Sequence, residues 1–93
     1  MDFVDFALLV NANSFVSINQ LKTKFKQYTV EGLRKRLDSL CSQGLMETMV
    51  VKHKTFYRTT KKGYECVLDF YKTQELNVFF KSLKKYETFQ PQT

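Results

Sequence analysis

Two runs rich in β-branched and aromatic residues, Leu45 to His53 and Thr55 to Thr59, stand almost end to end, with no room between them for a crossover. A chain that leaves one strand and enters the next so soon can only fold back on itself, so the pair predicts an antiparallel hairpin. Its tip, Lys52-His53-Lys54, is basic. Immediately upstream, Val30, Leu33, Leu37, Leu40 and Cys41 recur at helical spacing, and the run ends at Gly44, the residue best suited to a left-handed C-terminal cap. Thr29 stands where the N-cap of that helix belongs. One helix followed by one tight hairpin is the unit around which the rest of the chain must be arranged.

Before this unit, Asp2 is placed to cap a first helix in which Phe3, Phe6, Ala7 and Val10 form one stripe, while Val4, Leu8 and Leu9 lie outside it. A helix apolar on more than one side needs a second layer of core or another subunit, and Leu8 and Leu9 are accordingly assigned to a dimer interface. Asn11 to Ser14 reads as a turn and Phe15-Val16-Ser17 as a short extended piece. Ser17 with Gln20 fits a capping box, opening a second helix that turns Ile18, Leu21, Phe25 and Tyr28 inward and Lys22, Lys24 and Lys26 toward water. After the hairpin, Thr60 caps a last helix running from Lys61 to about Tyr86, with Thr73-Gln74-Glu75 as a candidate break. That helix has two apolar faces, one of Tyr64, Val67, Leu68, Tyr71, Val78, Phe79 and Tyr86, the other of Cys66, Phe70, Leu76, Phe80 and Leu83. A small domain cannot bury both, so the second face joins Leu8 and Leu9 as the dimer surface.

Ninety-three residues make a single domain, and an aromatic share of 15% supplies the bulky core that a chain of this length needs. One Pro and three Gly leave long segments without breakers, so the fold class is α+β and mainly helical: residues 17–43, the hairpin 45–59 and the last helix 60–89. Asp2 and Asp5 deny the N-terminus the basic flank of a signal peptide, and no apolar run approaches about eighteen residues, which predicts a cytoplasmic protein with no membrane partner. Two cysteines without CxxC spacing and a single histidine are too few ligands for a structural zinc site. No Ser/His/Asp or Cys/His set, paired carboxylates or phosphate loop is evident, so neither an enzyme, a cofactor nor a small-molecule ligand is expected.

Charge sharpens this. Between Lys22 and Lys62 there are eleven Lys or Arg (with Arg34, Lys61 and Lys62 among them) against three acids, a net +8, while the rest of the chain carries −2 of the overall +6. The excess is regional, and a local basic field on a helix and hairpin predicts a polyanion-binding face.

The order helix, short strand, helix, helix, hairpin, long helix is that of the winged helix-turn-helix. Leu33, Leu37 and Leu40 leading into Gly44-Leu45, and Tyr57-Arg58-Thr59-Thr60-Lys61-Lys62-Gly63 after the hairpin, resemble MarR-like and related winged-helix transcription regulators over about Ser17 to Gly63. Thr59 stands where that pattern has a leucine, and the wing is short, so a ligand-responsive member is not implied. The chain as a whole resembles the small winged-helix proteins of crenarchaeal spindle-shaped viruses, which implies a viral DNA-binding regulator working inside a hyperthermophilic host.

The resemblance implies a homodimeric, sequence-specific binder of double-stranded DNA acting as a transcriptional regulator; the alternative is a winged helix used only as a protein-interaction module. With the leucine stripe inward, Thr29, Glu31, Lys35, Arg36 and Ser39 on the third helix are the candidates for base readout. Lys22, Lys24 and Lys26 are the candidates for phosphate contact, and Lys52, His53, Lys54 and Arg58 for wing contacts with phosphate or the adjacent minor groove. Gly32 either permits close approach to DNA or is merely tolerated. Cys41 reads as a small apolar core residue. Cys66 falls on the predicted dimer face, where a Cys66 to Cys66 bridge can cross a two-fold axis; the hyperthermophilic host that would tolerate one is implied by the resemblance alone.

Overall fold

The computed structural model describes residues 1–74. Along the chain these form α1 (Phe3–Val10), β1 (Val16–Ser17), α2 (Ile18–Lys24), α3 (Val30–Ser42), β2 (Met46–Val51) and β3 (Lys54–Thr59). A fourth helix, α4, occupies residues 61–74. The result is a small α+β fold in which helices pack against one end of a three-stranded antiparallel sheet of order β1-β3-β2. The predicted hairpin is therefore part of a larger sheet, because Val16 and Ser17 pair with Tyr57 and Phe56.

Local signals place the helix ends. Asp2 caps α1 by accepting the Asp5 N–H at 2.8 Å. Ser17 and Gln20 form both bonds of the capping box on α2, and the Thr29 hydroxyl accepts the Gly32 N–H at 3.0 Å at the start of α3. At the other end of α3, Gly44 adopts φ +77. Its N–H reaches the Cys41 carbonyl and the Leu45 N–H reaches the Leu40 carbonyl, a Schellman closure that releases the chain directly into β2. α2 is shorter than its apolar period suggests: it ends at Lys24, and Tyr28 belongs to the turn before α3.

The core is built mostly of leucine. Leu8, Leu9, Leu21, Leu33, Leu37 and Leu40 are fully buried, joined by Ala12, Phe25, Leu45, Met46 and Tyr57. Burying each such leucine stabilises the fold by about 1.5–3 kcal/mol. Two expectations are overturned here. Leu8 and Leu9 are not a dimer surface: α1 lies against α3 and β3 and spends them on the internal core, leaving Phe3 and Val10 exposed instead. The inward side of α4 is drawn from both predicted faces. Cys66 and Val67 pack toward the core, and the Phe70 ring meets those of Phe3 at 5.2 Å and Phe6 at 5.0 Å, whereas Tyr64, Leu68 and Tyr71 are exposed. Leu76, Val78, Phe79, Phe80, Leu83 and Tyr86 lie outside the described residues.

Gly63 explains the phase of α4. A Cβ at this position would stand 2.2 Å from the Leu45 carbonyl oxygen and 2.7 Å from the Thr59 methyl, so only glycine lets the helix approach the end of the α3–β2 connection. Thr60 secures the same junction. Its hydroxyl lies 2.6 Å from the Gly44 carbonyl and 3.1 Å from the Gly63 N–H, and its own N–H reaches Leu45 O at 3.0 Å. With Gly63 inward, Cys66, Val67 and Phe70 follow onto the same side, and Tyr64 and Leu68 are turned out.

Candidate functional site

The inward leucines of α3 leave Thr29, Glu31, Arg34, Lys35, Asp38, Ser39 and Ser42 exposed on its other side. Glu31, Lys35 and Ser42 point most directly away from the core, about 180° around the helix from Leu33, Leu37 and Leu40. Arg34 and Arg36 occupy opposite flanks, since two residues along a helix is a rotation of about 200°. The consequence is a division of labour between two arginines that look interchangeable in the sequence.

Arg36 turns to α1. Its guanidinium donates to Asp2 Oδ2 at 2.9 Å and to Asp5 Oδ1 at 3.2 Å, and lies 5.6 Å from the centre of the Tyr28 ring. The Asp5 N–H bond, reinforced by Arg36, holds the Asp2 carboxyl below its ordinary pKa. An arginine between two carboxylates and a ring is committed to tying α1 to α3, so the expectation that Arg36 reads bases is not supported by its placement.

Arg34, absent from the residues singled out in the sequence, lies on the hairpin side. There a groove runs between the helices and the sheet, lined by Ser17, Ile18, Asn19, Gln20, Val30 and Arg34, and by His53 to Tyr57 of the hairpin. No carboxylate lines it. The pairing of β1 with β3 makes this groove, because it brings the start of α2 alongside the hairpin. Helical spacing marks Arg34 as a flank residue, but which flank meets the hairpin depends on how α3 crosses the sheet. That information is tertiary.

The hairpin turns in two residues, Lys52 and His53, between the paired Val51 and Lys54. Both have positive φ, 50 and 66, the left-handed pair that matches strand twist and that Asn-Gly usually supplies. Lys52, His53 and Lys54 are all exposed. Arg58 is placed otherwise: it ion-pairs with Glu47 across the strands, donating from Nε at 2.8 Å, and lies 4.4 Å above the Phe15 ring. Its charge is largely compensated and it stands away from the groove, so Arg58 does not join the cluster expected of it.

Of the lysines before α3, Lys26 is exposed with its ammonium uncommitted in any described bond, whereas Lys22 donates to the Lys26 carbonyl at 2.8 Å and Lys24 to Asn11 Oδ1 at 3.1 Å. Both thiols are free. Burial, with Asp38 nearby, pushes the Cys41 thiol up, which disfavours the reactive thiolate. Cys66 is partly buried and packs toward the core. Burial likewise raises the Tyr57 phenol. Among the described residues no helix is long and apolar enough to cross a membrane.

What the arrangement offers is therefore a helix with an open polar side carrying Lys35, a carboxylate-free groove beside it with Arg34, and a projecting hairpin ending in cations. Such a surface suits a polyanion. No protein-family model matches the chain, and no curated protein sequence does.

Proposed function

We propose that this chain is a winged helix-turn-helix that binds double-stranded DNA, with α3 as the recognition helix, the β2–β3 hairpin as the wing, and a homodimeric transcriptional regulator as the working form. The observation that carries this reading is the set of exposed cations at the groove and the hairpin tip, Arg34, Lys54 and Lys52, beside Lys35 on the open side of α3, with no carboxylate lining that groove although Glu31 and Asp38 flank Lys35. A major groove about 12 Å wide admits an α-helix. Lys35 and Ser39 then approach base edges, with Glu31 able to accept from cytosine; Thr29, already accepting the Gly32 N–H, positions the helix N-terminus; Arg34, Lys26 and the wing lysines neutralise phosphate.

Selection of bound duplexes from a random pool, followed by a salt titration of the best one, tests the reading. Affinity should fall steeply with salt, and Lys35→Ala should relax sequence discrimination while Arg34→Ala weakens binding across sequences. Salt-insensitive binding, or none to any duplex, would sink it.

The second reading, a protein-interaction module, has one observation in its favour: Met49, Val50 and Val51 on the hairpin are 41%, 67% and 43% exposed. Apolar surface on the wing suits a protein partner. The cations at its tip, Lys52 and Lys54, favour nucleic acid.

A further inference from the structure

Only the base of the hairpin is anchored. Met46 is buried and Glu47 partly so, but residues 48 to 55 are exposed on both faces of the ribbon. Register sorts the apolar ones: Met49 and Val51 share a face with Phe56 and Lys54, and Val50 lies on the other beside Thr55. The arm is thus apolar on both sides, ends in Lys52, His53 and Lys54, and contains no acid beyond Glu47.

We propose that this arm is an apolar wedge that enters the minor groove of duplex DNA and opens it, so that the preferred target is deformable DNA. The proposal rests on the DNA-binding reading above. Charge complementarity selects the occupant, since the apolar segment runs directly into the cationic tip and pairs with β3, whose residues 54 to 57 line the Arg34 groove. Dimensions supply the rest. Two paired strands lie about 4.8 Å apart before side chains are added, whereas the minor groove of regular B-DNA is about 6 Å wide. A ribbon flanked by Met49, Val50 and Val51 therefore cannot enter without widening the groove. A widened groove presents apolar deoxyribose walls and, at a loosened step, base faces, while Lys52 and Lys54 meet the phosphates on its rims. Pyrimidine–purine steps unstack most readily, so they should recur where the arm falls, one groove away from the α3 contacts.

The test uses the full chain and the best duplex from the random pool, labelled at its ends with a donor and an acceptor, with 2-aminopurine at the step nearest the predicted arm. Wild type should bend the duplex by about 20° or more, in the range of known wedge proteins, and raise 2-aminopurine fluorescence. Met49→Ser with Val50→Thr and Val51→Thr should at least halve the bend and abolish the fluorescence rise. The same variant should leave the slope of affinity against salt unchanged, because every cation remains. Met49→Leu, which keeps the apolar volume, should bend like wild type; unchanged circular dichroism in both variants verifies the fold. Equal binding by wild type and variant to a straight, fully stacked duplex would overturn the wedge and leave DNA binding standing. No binding to any duplex would overturn both. Binding to anionic phosphatidylserine vesicles that the triple variant loses, with no distortion of DNA, would instead assign the arm to a lipid surface and overturn the proposal.

Discussion

Thr59 does two jobs from a nearly closed position, at 3% exposure. Its N–H donates to the Ala12 carbonyl at 2.8 Å, and its hydroxyl donates to the Leu9 carbonyl at 2.6 Å. Leu9 O belongs to the last turn of α1, where carbonyls lack partners within the helix. A leucine at this position could not satisfy it. Thr59→Val keeps the shape and removes the donor, and should lower unfolding free energy by about 1 to 3 kcal/mol in a denaturant titration. Asp2 gives a pH-dependent counterpart. Its folded pKa lies below the ordinary 3.8 because the charged form accepts the Asp5 N–H and the Arg36 guanidinium. The stability it adds is present above pH 3.8 and drains away as pH falls through the lowered folded value. Exposed pairs contribute only about 0.2–1 kcal/mol, so the effect is small. Titration of the Asp2 carboxyl by NMR should place its midpoint below 3.8, and Arg36→Gln should move it back up.

The turn of the hairpin is the least economical element. Two non-glycine residues occupy left-handed backbone conformations that cost an L-residue roughly 1 kcal/mol or more each. His53→Gly removes one such cost, and should raise stability by about 0.5–1 kcal/mol. Hydrogen exchange should show β2 and β3 amides opening less often. Among the described residues β2 pairs only with β3 and its outer edge is open. Open apolar edges invite association with other chains, and natural proteins keep them short, cover them or give them a partner.

For the molecule as a whole, the inward placement of Cys66 and Phe70 on α4 relocates the proposed dimer contact. Tyr64, at 38% exposure, and Leu68, at 55%, present apolar area away from the core and on the opposite side of α4 from Phe70. If two copies associate there, two α3 helices related by a two-fold axis would address successive major grooves about 34 Å apart. Leu68→Lys should then give a monomer in sedimentation where wild type gives a dimer, with an unchanged circular dichroism spectrum and a melting temperature that no longer depends on protein concentration. Leu8→Ala should do the reverse: an intact tendency to dimerise in a chain destabilised by about 2–5 kcal/mol.

Much of this protein was legible in one dimension. Caps, the α3 leucine stripe, the Gly44 exit and the hairpin all depend on interactions within a few residues, and Asp2, Ser17, Gln20, Thr29 and Thr60 perform there the bonding their types suggest. The regional charge, a sum over sequence, was equally plain. What the chain alone could not decide was which side of each element faces which neighbour. α1 and α4 each offer two apolar sides, and the choice between them followed from Gly63 admitting the Leu45 carbonyl and from α1 crossing α3 and β3. The same crossing sends Arg36 to Asp2 and Asp5 and leaves Arg34 beside the hairpin, although the two are separated by a single residue. Periodicity determines the angle between side chains on one helix; only packing determines the direction from which that angle is measured.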